Sequence, residues 1–160
     1  MRRANQEIKD RDEIIAVLKD SDACRIGMYA GGEVYIVPMS FGFDFSDDGE
    51  LTLYFHCAAE GRKLDAIAEN PLVGFEMDTG RSLVPGQDNK ACTYTMNYSS
   101  IIGNGRIEVL NDREEKISAL KLIMKQYSDE ENFEFDNEVL KRTTVLRLAV
   151  SSYTGKRLQK

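Results

Sequence analysis

Gly61, Arg62 and Lys63 stand where a strand would pass into a helix, and their chemistry suits an anion. Before them, apolar and other residues alternate from Leu51 to Ala58, which is the pattern of a half-buried strand. After them, apolar residues recur at helical spacing between Leu64 and Ala68. A helix begins with unpaired N–H groups and the positive end of its dipole, so the basic pair predicts a phosphate-binding site. The alternative is a solvated basic surface, which is common at helix starts.

His56 lies in the predicted strand just before this basic pair and is the one histidine of the chain. Alternation along a strand sets His56 on one face, and Phe55 and Cys57 on the other. Taken by itself, a single histidine on such a strand is most often held by structural hydrogen bonds, although its side chain can titrate near neutral pH. We expect Cys57 to pack in the core.

Composition limits the class of protein. The chain has 160 residues, 42% hydrophobic and 30% charged, as expected for one globular domain spanning 1–160. Its net charge of −6 argues against nucleic acid as a partner. No apolar run reaches the length needed to span a membrane. The first ten residues, MRRANQEIKD, include Arg2 and Arg3 but lack the apolar core of a secretory signal.

The cysteines and the known nucleotide motifs narrow the chemistry further. Cys24, Cys57 and Cys92 are widely spaced and odd in number, which favours reduced thiols over a disulfide framework and predicts a cytoplasmic protein. With a single histidine, a metal site is not expected. Neither the phosphate loop G-x-x-x-x-G-K-[ST] nor the dinucleotide fingerprint G-x-G-x-x-G occurs.

The remaining patterns predict a mainly β protein with helices at its edges. Five to seven strands and few helices favour an antiparallel sheet closed into a barrel. In the first half of the chain we predict a helix over about 11–20 capped by Asp10, a hairpin turn at Gly31-Gly32, one long strand over 33–45, a turn at 46–49 and a helix ended by Asn70-Pro71. Pro38 marks an edge, a bulge or an opening toward a ligand within the long strand. In the second half we predict a lid or binding loop at 79–90, one or two strands over 92–110 with a bulge at Asn104-Gly105, a helix capped by Asp112, a short helix within 128–142 and a last strand over 143–151.

In this order, the segments resemble the FMN-binding split-barrel superfamily, which includes the pyridoxamine phosphate oxidases. Within it, the chain is similar to nitroimidazole-resistance proteins. The resemblance rests on V-P-M-S at 37–40, F-H-C-A-A-E-G-R-K at 55–63, N-P-L-V-G-F at 70–75 and T-G-K at 154–156. It implies an antiparallel Greek-key barrel that forms a homodimer and holds FMN in a groove at the subunit interface.

The resemblance also implies a role for individual residues. Arg62 and Lys63 would hold the FMN phosphate, in agreement with the argument from the helix start. His56 would lie beside the flavin, where it would order a substrate or donate a proton; the alternative is a histidine held by structural hydrogen bonds. The other implied contacts are Val37, Pro38, Met39 and Ser40 along the isoalloxazine ring, Phe55, His56 and Cys57 on the ribityl and ring side, and Tyr98, Ser99 and Ser100 near the phosphate or the partner subunit.

The implied function is that of a flavin-dependent oxidoreductase that passes electrons to a small acceptor, with a nitroaromatic as the candidate. The alternative is a module of the same fold that binds or stores flavin or haem without turnover, with His56 as a candidate haem ligand. The chain ends S-S-Y-T-G-K-R-L-Q-K, without the R-x-H substrate signature of the oxidases. Pyridoxamine phosphate oxidation is therefore not expected.

Overall fold

The computed structural model describes residues 4–160, so Arg2 and Arg3 lie outside the described residues. Within that range the chain forms eight strands and four α-helices. In chain order these are β1 (Glu7–Ile8), α1 (Arg11–Asp20), β2 (Cys24–Ala30), β3 (Glu33–Met39), β4 (Phe41–Phe45), β5 (Leu51–Ala58), α2 (Arg62–Glu69), β6 (Leu72–Val84), β7 (Thr95–Leu110), α3 (Arg113–Tyr127), α4 (Asn137–Arg142) and β8 (Thr143–Leu158). None of the helices in residues 4–160 is both long and apolar enough to cross a membrane.

Side-chain caps set the starts of the predicted helices. The Asp10 carboxylate accepts a hydrogen bond of 3.1 Å from the N–H of Glu13 at the start of α1. The Asp112 carboxylate accepts bonds of 2.9 and 3.0 Å from the N–H groups of Glu114 and Glu115 at the start of α3. Each cap pairs backbone groups that have no partner inside the helix. Both predicted caps are confirmed.

All strand pairs are antiparallel, and the strands follow the order β3-β2-β6-β7-β8-β5-β4, with β1 added on β8. The two ends of this order, β3 and β4, are consecutive in the chain and separated only by Ser40. The sheet therefore curls until β3 and β4, its first and last strands, meet at Ser40. Within the described residues, no ladder of hydrogen bonds joins these two strands. The predicted mainly β barrel with peripheral helices is confirmed.

Three strand predictions need correction. The segment 33–45 is two strands, because β3 pairs with β2 whereas β4 pairs with β5. Inward and outward residues alternate without interruption through Ser40, so the pattern does not reveal the change of partner. The predicted loop 79–90 begins later: β6 continues to Val84 across an irregularity between Thr79 and Ser82. The last strand extends beyond 151, to Leu158.

The bulge prediction is confirmed within one continuous strand. β7 shifts its register against β8 between Asn104 and Gly105. A Cβ at Gly105 would lie 2.2 Å from the carbonyl oxygen of Ala149, so the two backbones approach too closely there for any side chain.

The core lies inside the curled sheet. Its largest fully buried side chains include Phe41, Phe55, Leu53, Met77 and Leu148. Helix α2 adds Ala66 and Ile67 to the same core, whereas α3 packs outside the barrel, with β4 and β5 among its neighbours. A Cβ at Gly42 in β4 would lie 2.5 Å from the backbone nitrogen of Ile123 in α3, so this strand and helix are in backbone contact.

Candidate functional site

The start of α2 presents unpaired backbone donors. Gly61 precedes the helix with φ +138°, a conformation that favours glycine, and it offers no side-chain cap. Its carbonyl oxygen accepts from the N–H groups of Leu64 and Asp65, at 2.8 and 3.3 Å. Within residues 4–160, the N–H groups of Arg62 and Lys63 have no protein acceptor. These two donors and the helix dipole form an anion-binding position.

Arg62 already has a protein partner. Its Nη2 atom donates a 2.9 Å hydrogen bond to Oε2 of Glu33, at the start of β3. The same guanidinium lies 4.6 Å from the centre of the Tyr35 ring. Both charged side chains are mostly exposed, so the ion pair contributes at most about 1 kcal/mol to stability. Arg62 therefore connects α2 to β3 without being locked there.

Lys63 is half-buried and forms no ion pair with any residue in 4–160. Its charge acts on Cys57 near the end of β5. Burial raises the pKa of the Cys57 thiol, and the positive charge of Lys63 lowers it in part. Cys57 packs against the core, as predicted. Lys63 is thus the available side-chain cation at the start of α2.

The segment 37–40 lies at the open edge of the sheet. Val37, Pro38 and Met39 pair with β2 on one side, and β3 has no strand partner on the other within the described residues. The predicted edge position of Pro38 is confirmed. An edge strand exposes backbone N–H and C=O groups, so this edge could hydrogen-bond a planar polar ligand. Val37 and Met39 face the core, whereas Pro38 and Ser40 are exposed.

His56 is exposed and stands next to this segment. Phe41 pairs with Phe55 in the β4–β5 ladder, so the preceding Ser40 and the following His56 lie at adjacent positions on the two strands. Phe55 is 0% exposed, and its side chain belongs to the core. Although the resemblance implies that Phe55 lines the groove, only its backbone could reach a ligand.

Tyr98, Ser99 and Ser100 lie on β7, which two strands, β2 and β6, separate from β3. Tyr98 pairs with Leu158 at one end of β8, whereas Ala58, which precedes α2, pairs with Thr143 at the other end, so one chain does not bring these residues to the start of α2. Lys156 lies 5.3 Å from the centre of the Tyr98 ring, and Nε of Arg157 donates a 3.1 Å bond to Oγ of Ser99. Tyr98 and Ser100 also line a cavity of about 610 Å³.

Acidic and basic residues on the same cavity form a network that the sequence analysis did not find. Nη1 of Arg25 lies 2.9 Å from carboxylate oxygens of both Glu76 and Asp78, and Arg81 lies 3.4 Å from Asp78. Glu76, Asp78 and Arg81 lie close together on β6, whereas Arg25 lies on β2, so the register between β2 and β6 brings Arg25 to the acids.

The outer face of four neighbouring strands exposes a set of large apolar side chains. We call it the outer apolar patch; its members are each more than half exposed. Gly27 and Gly74 pair with one another between them, which leaves the middle of the face without side chains. The members are Tyr29, Val34, Ile36, Leu72 and Ile102.

The sequence and the fold agree with a known family. Residues 10–157 match the family model described as pyridoxamine 5'-phosphate oxidase, and the chain belongs to this family. No curated protein matches the chain.

Among solved structures, the chain is similar to a candidate 5-nitroimidazole antibiotic resistance protein from Bacteroides thetaiotaomicron. The two are 32% identical over 94% of this chain and 86% of that one, with a TM-score of 0.80. The fold alone is shared with a flavocytochrome from Azotobacter vinelandii (19% identity, 100% and 72% coverage, TM-score 0.80). It is also shared with an FAD- and haem-binding protein from Mycobacterium smegmatis (18% identity, 97% and 74% coverage, TM-score 0.78). The split-barrel resemblance inferred from the sequence is confirmed.

Proposed function

We propose that this protein binds FMN and uses it to reduce a small acceptor, with a nitroaromatic as the candidate substrate. The observation that supports it best is the start of α2, where two N–H groups without acceptors adjoin the available ammonium group of Lys63. A phosphate monoester is a compact dianion that such a donor set suits. FMN carries this group, and when bound it would supply the electrons for reduction.

The open space beside Gly61 supports a phosphate at this position. A Cβ built on Gly61 would meet no atom within 4 Å, so the region beside the free N–H groups is open. Lys63 would hold the phosphate by a charge-assisted hydrogen bond, and Arg62 would join it by turning from Glu33. The open edge of β3 at Val37, Pro38, Met39 and Ser40 would bind the polar edge of the ring through backbone groups.

His56 would act on the acceptor. Its side chain is exposed and adjoins Ser40, at the end of the segment proposed to face the ring. No residue in 4–160 hydrogen-bonds the His56 side chain, so it is available to orient a substrate or to deliver the proton that accompanies reduction. The similarity to the Bacteroides protein, whose description concerns 5-nitroimidazole resistance, supports a nitroaromatic acceptor.

We also propose a homodimer. The outer apolar patch exposes large apolar side chains that a second copy could cover. In one chain, two strands separate Tyr98, Ser99 and Ser100 on β7 from β3. A second copy packed on the patch could contribute its own β7 residues to the phosphate and ring, which one chain cannot do.

A flavin- or haem-binding module without turnover is the second candidate. Two structures that share the fold are described as a flavocytochrome and as an FAD- and haem-binding protein. The exposed His56 is the observation that favours this candidate, because an imidazole can ligate haem iron. The haem alternative assigns no role to Lys63 and the free N–H groups, and FMN does.

An absorption spectrum of the purified protein separates these candidates. The protein is measured alone, after addition of FMN, after addition of NADH or NADPH, and finally with a nitroimidazole. Bound flavin bands that bleach with the nicotinamide and return with the nitroimidazole are the expected result. Bound flavin that does not pass electrons to the nitroimidazole would favour the storage role. An intense haem band would favour the haem role. Absence of flavin binding would overturn the proposal.

A further inference from the structure

Tyr127, the last residue of α3, makes two hydrogen bonds through its hydroxyl group. The hydroxyl accepts a 3.0 Å bond from the N–H of Phe41 and donates a 3.0 Å bond to the carbonyl oxygen of Asp22. Partial burial raises the pKa of Tyr127, and the hydrogen bond from the Phe41 N–H lowers it in part. One oxygen atom thus joins the end of α3 to two other segments of the chain.

Both of these segments adjoin the proposed ring site. Phe41 begins β4 and follows Ser40, the single residue at which the chain leaves β3. Asp22 lies in the connection from α1 to β2, the strand that pairs with 37–39. Among residues 4–160, Tyr127 is the one residue whose side chain hydrogen-bonds the backbone of segment 37–41.

The packing of α3 holds Tyr127 in place. Gln126, its neighbour, donates from Nε2 to the carbonyl oxygens of Leu18, Lys19 and Ser21, at 2.9, 3.2 and 3.2 Å. These bonds attach the end of α3 to the backbone at the C-terminal end of α1, where helix carbonyl groups lack their usual N–H donors. The backbone contact between α3 and Gly42 leaves the helix no room to move toward the strand. The position of the Tyr127 hydroxyl is therefore set by the packing of α3, and its hydrogen bond from Phe41 anchors the turn from β3 to β4.

We propose that Tyr127 is a positioning residue of the flavin site: its hydroxyl sets the place of Ser40 and Phe41, and through them the ring-facing edge of β3 beside His56. This inference rests on the proposed function. Tyr127 does not touch the cofactor; it acts through the backbone at the turn from β3 to β4.

The test compares Tyr127→Phe with the wild-type protein in three properties. FMN affinity is measured by titration, and the visible flavin bands and the reduction potential are measured with each protein saturated with FMN. The substitution keeps the ring and removes both hydrogen bonds. We expect flavin still to bind through its phosphate, with about fivefold weaker affinity, the size expected for one net hydrogen bond. We also expect a shift of the visible flavin bands and of the reduction potential, because the backbone groups that face the ring lose their support.

Tyr54→Phe is the matched control. Tyr54 is half-buried in the cluster that α3 covers, and its hydroxyl has no hydrogen-bond partner in the described part of the chain. Removal of the Tyr54 hydroxyl should leave the visible flavin bands and the reduction potential unchanged. If the wild-type protein binds FMN and Tyr127→Phe gives the wild-type spectrum and potential, the inference alone is overturned. A shift of equal size in Tyr54→Phe would overturn it as well. If the wild-type protein binds no FMN, the proposed function fails, and this inference fails with it.

A second variant covers the case in which Tyr127→Phe does not fold. Replacement of Tyr127 by 3-fluorotyrosine keeps the ring and hydroxyl but makes the oxygen a weaker acceptor for the Phe41 N–H. We expect a smaller shift of the flavin bands, and unchanged bands and potential would overturn the inference.

Discussion

The guanidinium of Arg62 lies over the ring of Tyr35, 4.6 Å from the ring centre, although 27 positions of the sequence separate the two residues. In the same position it donates to Glu33. The residue predicted to hold a phosphate is thus held in this structure by an acid and an aromatic ring of β3. Glu33 and Tyr35 thus hold the Arg62 guanidinium close to the unpaired N–H groups of α2, and the Glu33 carboxylate competes with a phosphate for it.

Loss of both basic residues should weaken FMN binding. For Arg62→Ala with Lys63→Ala we expect a loss of about 2–5 kcal/mol, roughly 30-fold or more in Kd, because charge-assisted bonds to the phosphate disappear. Fluorescence titration with FMN measures it. Lys121→Ala with Lys125→Ala removes the same charge from the exposed face of α3 and should leave Kd unchanged. Equal Kd values for the wild type and the Arg62/Lys63 variant would refute the phosphate position.

Neutralising the competitor should have the opposite effect. In Glu33→Gln, Arg62 loses its ion pair and becomes available to the phosphate. Because exposed ion pairs are worth at most about 1 kcal/mol, we expect FMN to bind about two- to fivefold more tightly. The gain should vanish when Glu33→Gln is combined with Arg62→Ala, which a double-mutant cycle measures. A gain that persists in the combined variant would show that Glu33 acts on the ligand without Arg62.

Removal of the imidazole should affect turnover more than binding. For His56→Ala we expect FMN affinity close to that of the wild type and acceptor reduction slower by about 100-fold, the low end for a lost general acid. Stopped-flow reoxidation of the reduced protein by a nitroimidazole measures the step. Thr52→Ala changes the same face of β5 away from Ser40 and should reoxidise normally. If His56→Ala reoxidises at the wild-type rate, His56 is a structural surface residue.

A charge in the outer apolar patch should prevent dimer formation. Ile36, 62% exposed in the single chain, would be covered by a second copy, and Ile36→Lys would place an ammonium group in that apolar contact. We expect a dimer for the wild type and a monomer for the variant in sedimentation equilibrium. Val139→Lys, at a similarly exposed residue of α4, should remain dimeric. A monomeric wild-type protein would rule out the proposed dimer.

Cys24 should make stability fall at high pH. Burial is the largest cause that raises the pKa of its thiol from the ordinary value of 9.0 to about 12, with a smaller contribution from Glu76. In the unfolded chain the thiol loses its proton at a lower pH than in the folded protein. The stabilisation is therefore complete below the unfolded pKa and is lost as pH rises through the folded one.

The measurement is chemical unfolding at several pH values between 8 and 11. The free energy of unfolding should fall more steeply with pH in the wild type than in Cys24→Ala, which lacks the thiol. Comparing the two variants cancels the other groups that titrate in this range, among them Tyr54 and Tyr127, whose pKa values burial also raises. Parallel pH dependence of the two proteins would contradict the prediction.

Local patterns in the sequence were enough for most of the elements. Asp10 and Asp112 fix two helix starts because a cap involves residues within three positions of one another. Gly31 and Gly32 close a hairpin because the turn needs positive φ, which both have, at 59° and 79°. Alternation identified β5, and the basic pair at the start of α2 is placed by the same local rules. These features depend on neighbours in the chain, which the sequence displays directly.

The tertiary structure alone decided which strands are partners. At Ser40 the strand that pairs with the chain changes from β2 to β5. The alternation of inward and outward residues continues through Ser40, because β3 and β4 both turn their odd-numbered residues toward the same core. The change of partner opens the sheet, exposes the edge of β3 and brings Ser40 beside His56. The contacts of Arg62 with Glu33 and Tyr35, and of Tyr127 with Phe41, likewise join segments 27 to 86 positions apart. Such contacts follow from the packing of the whole core, since no local preference of either residue specifies the other.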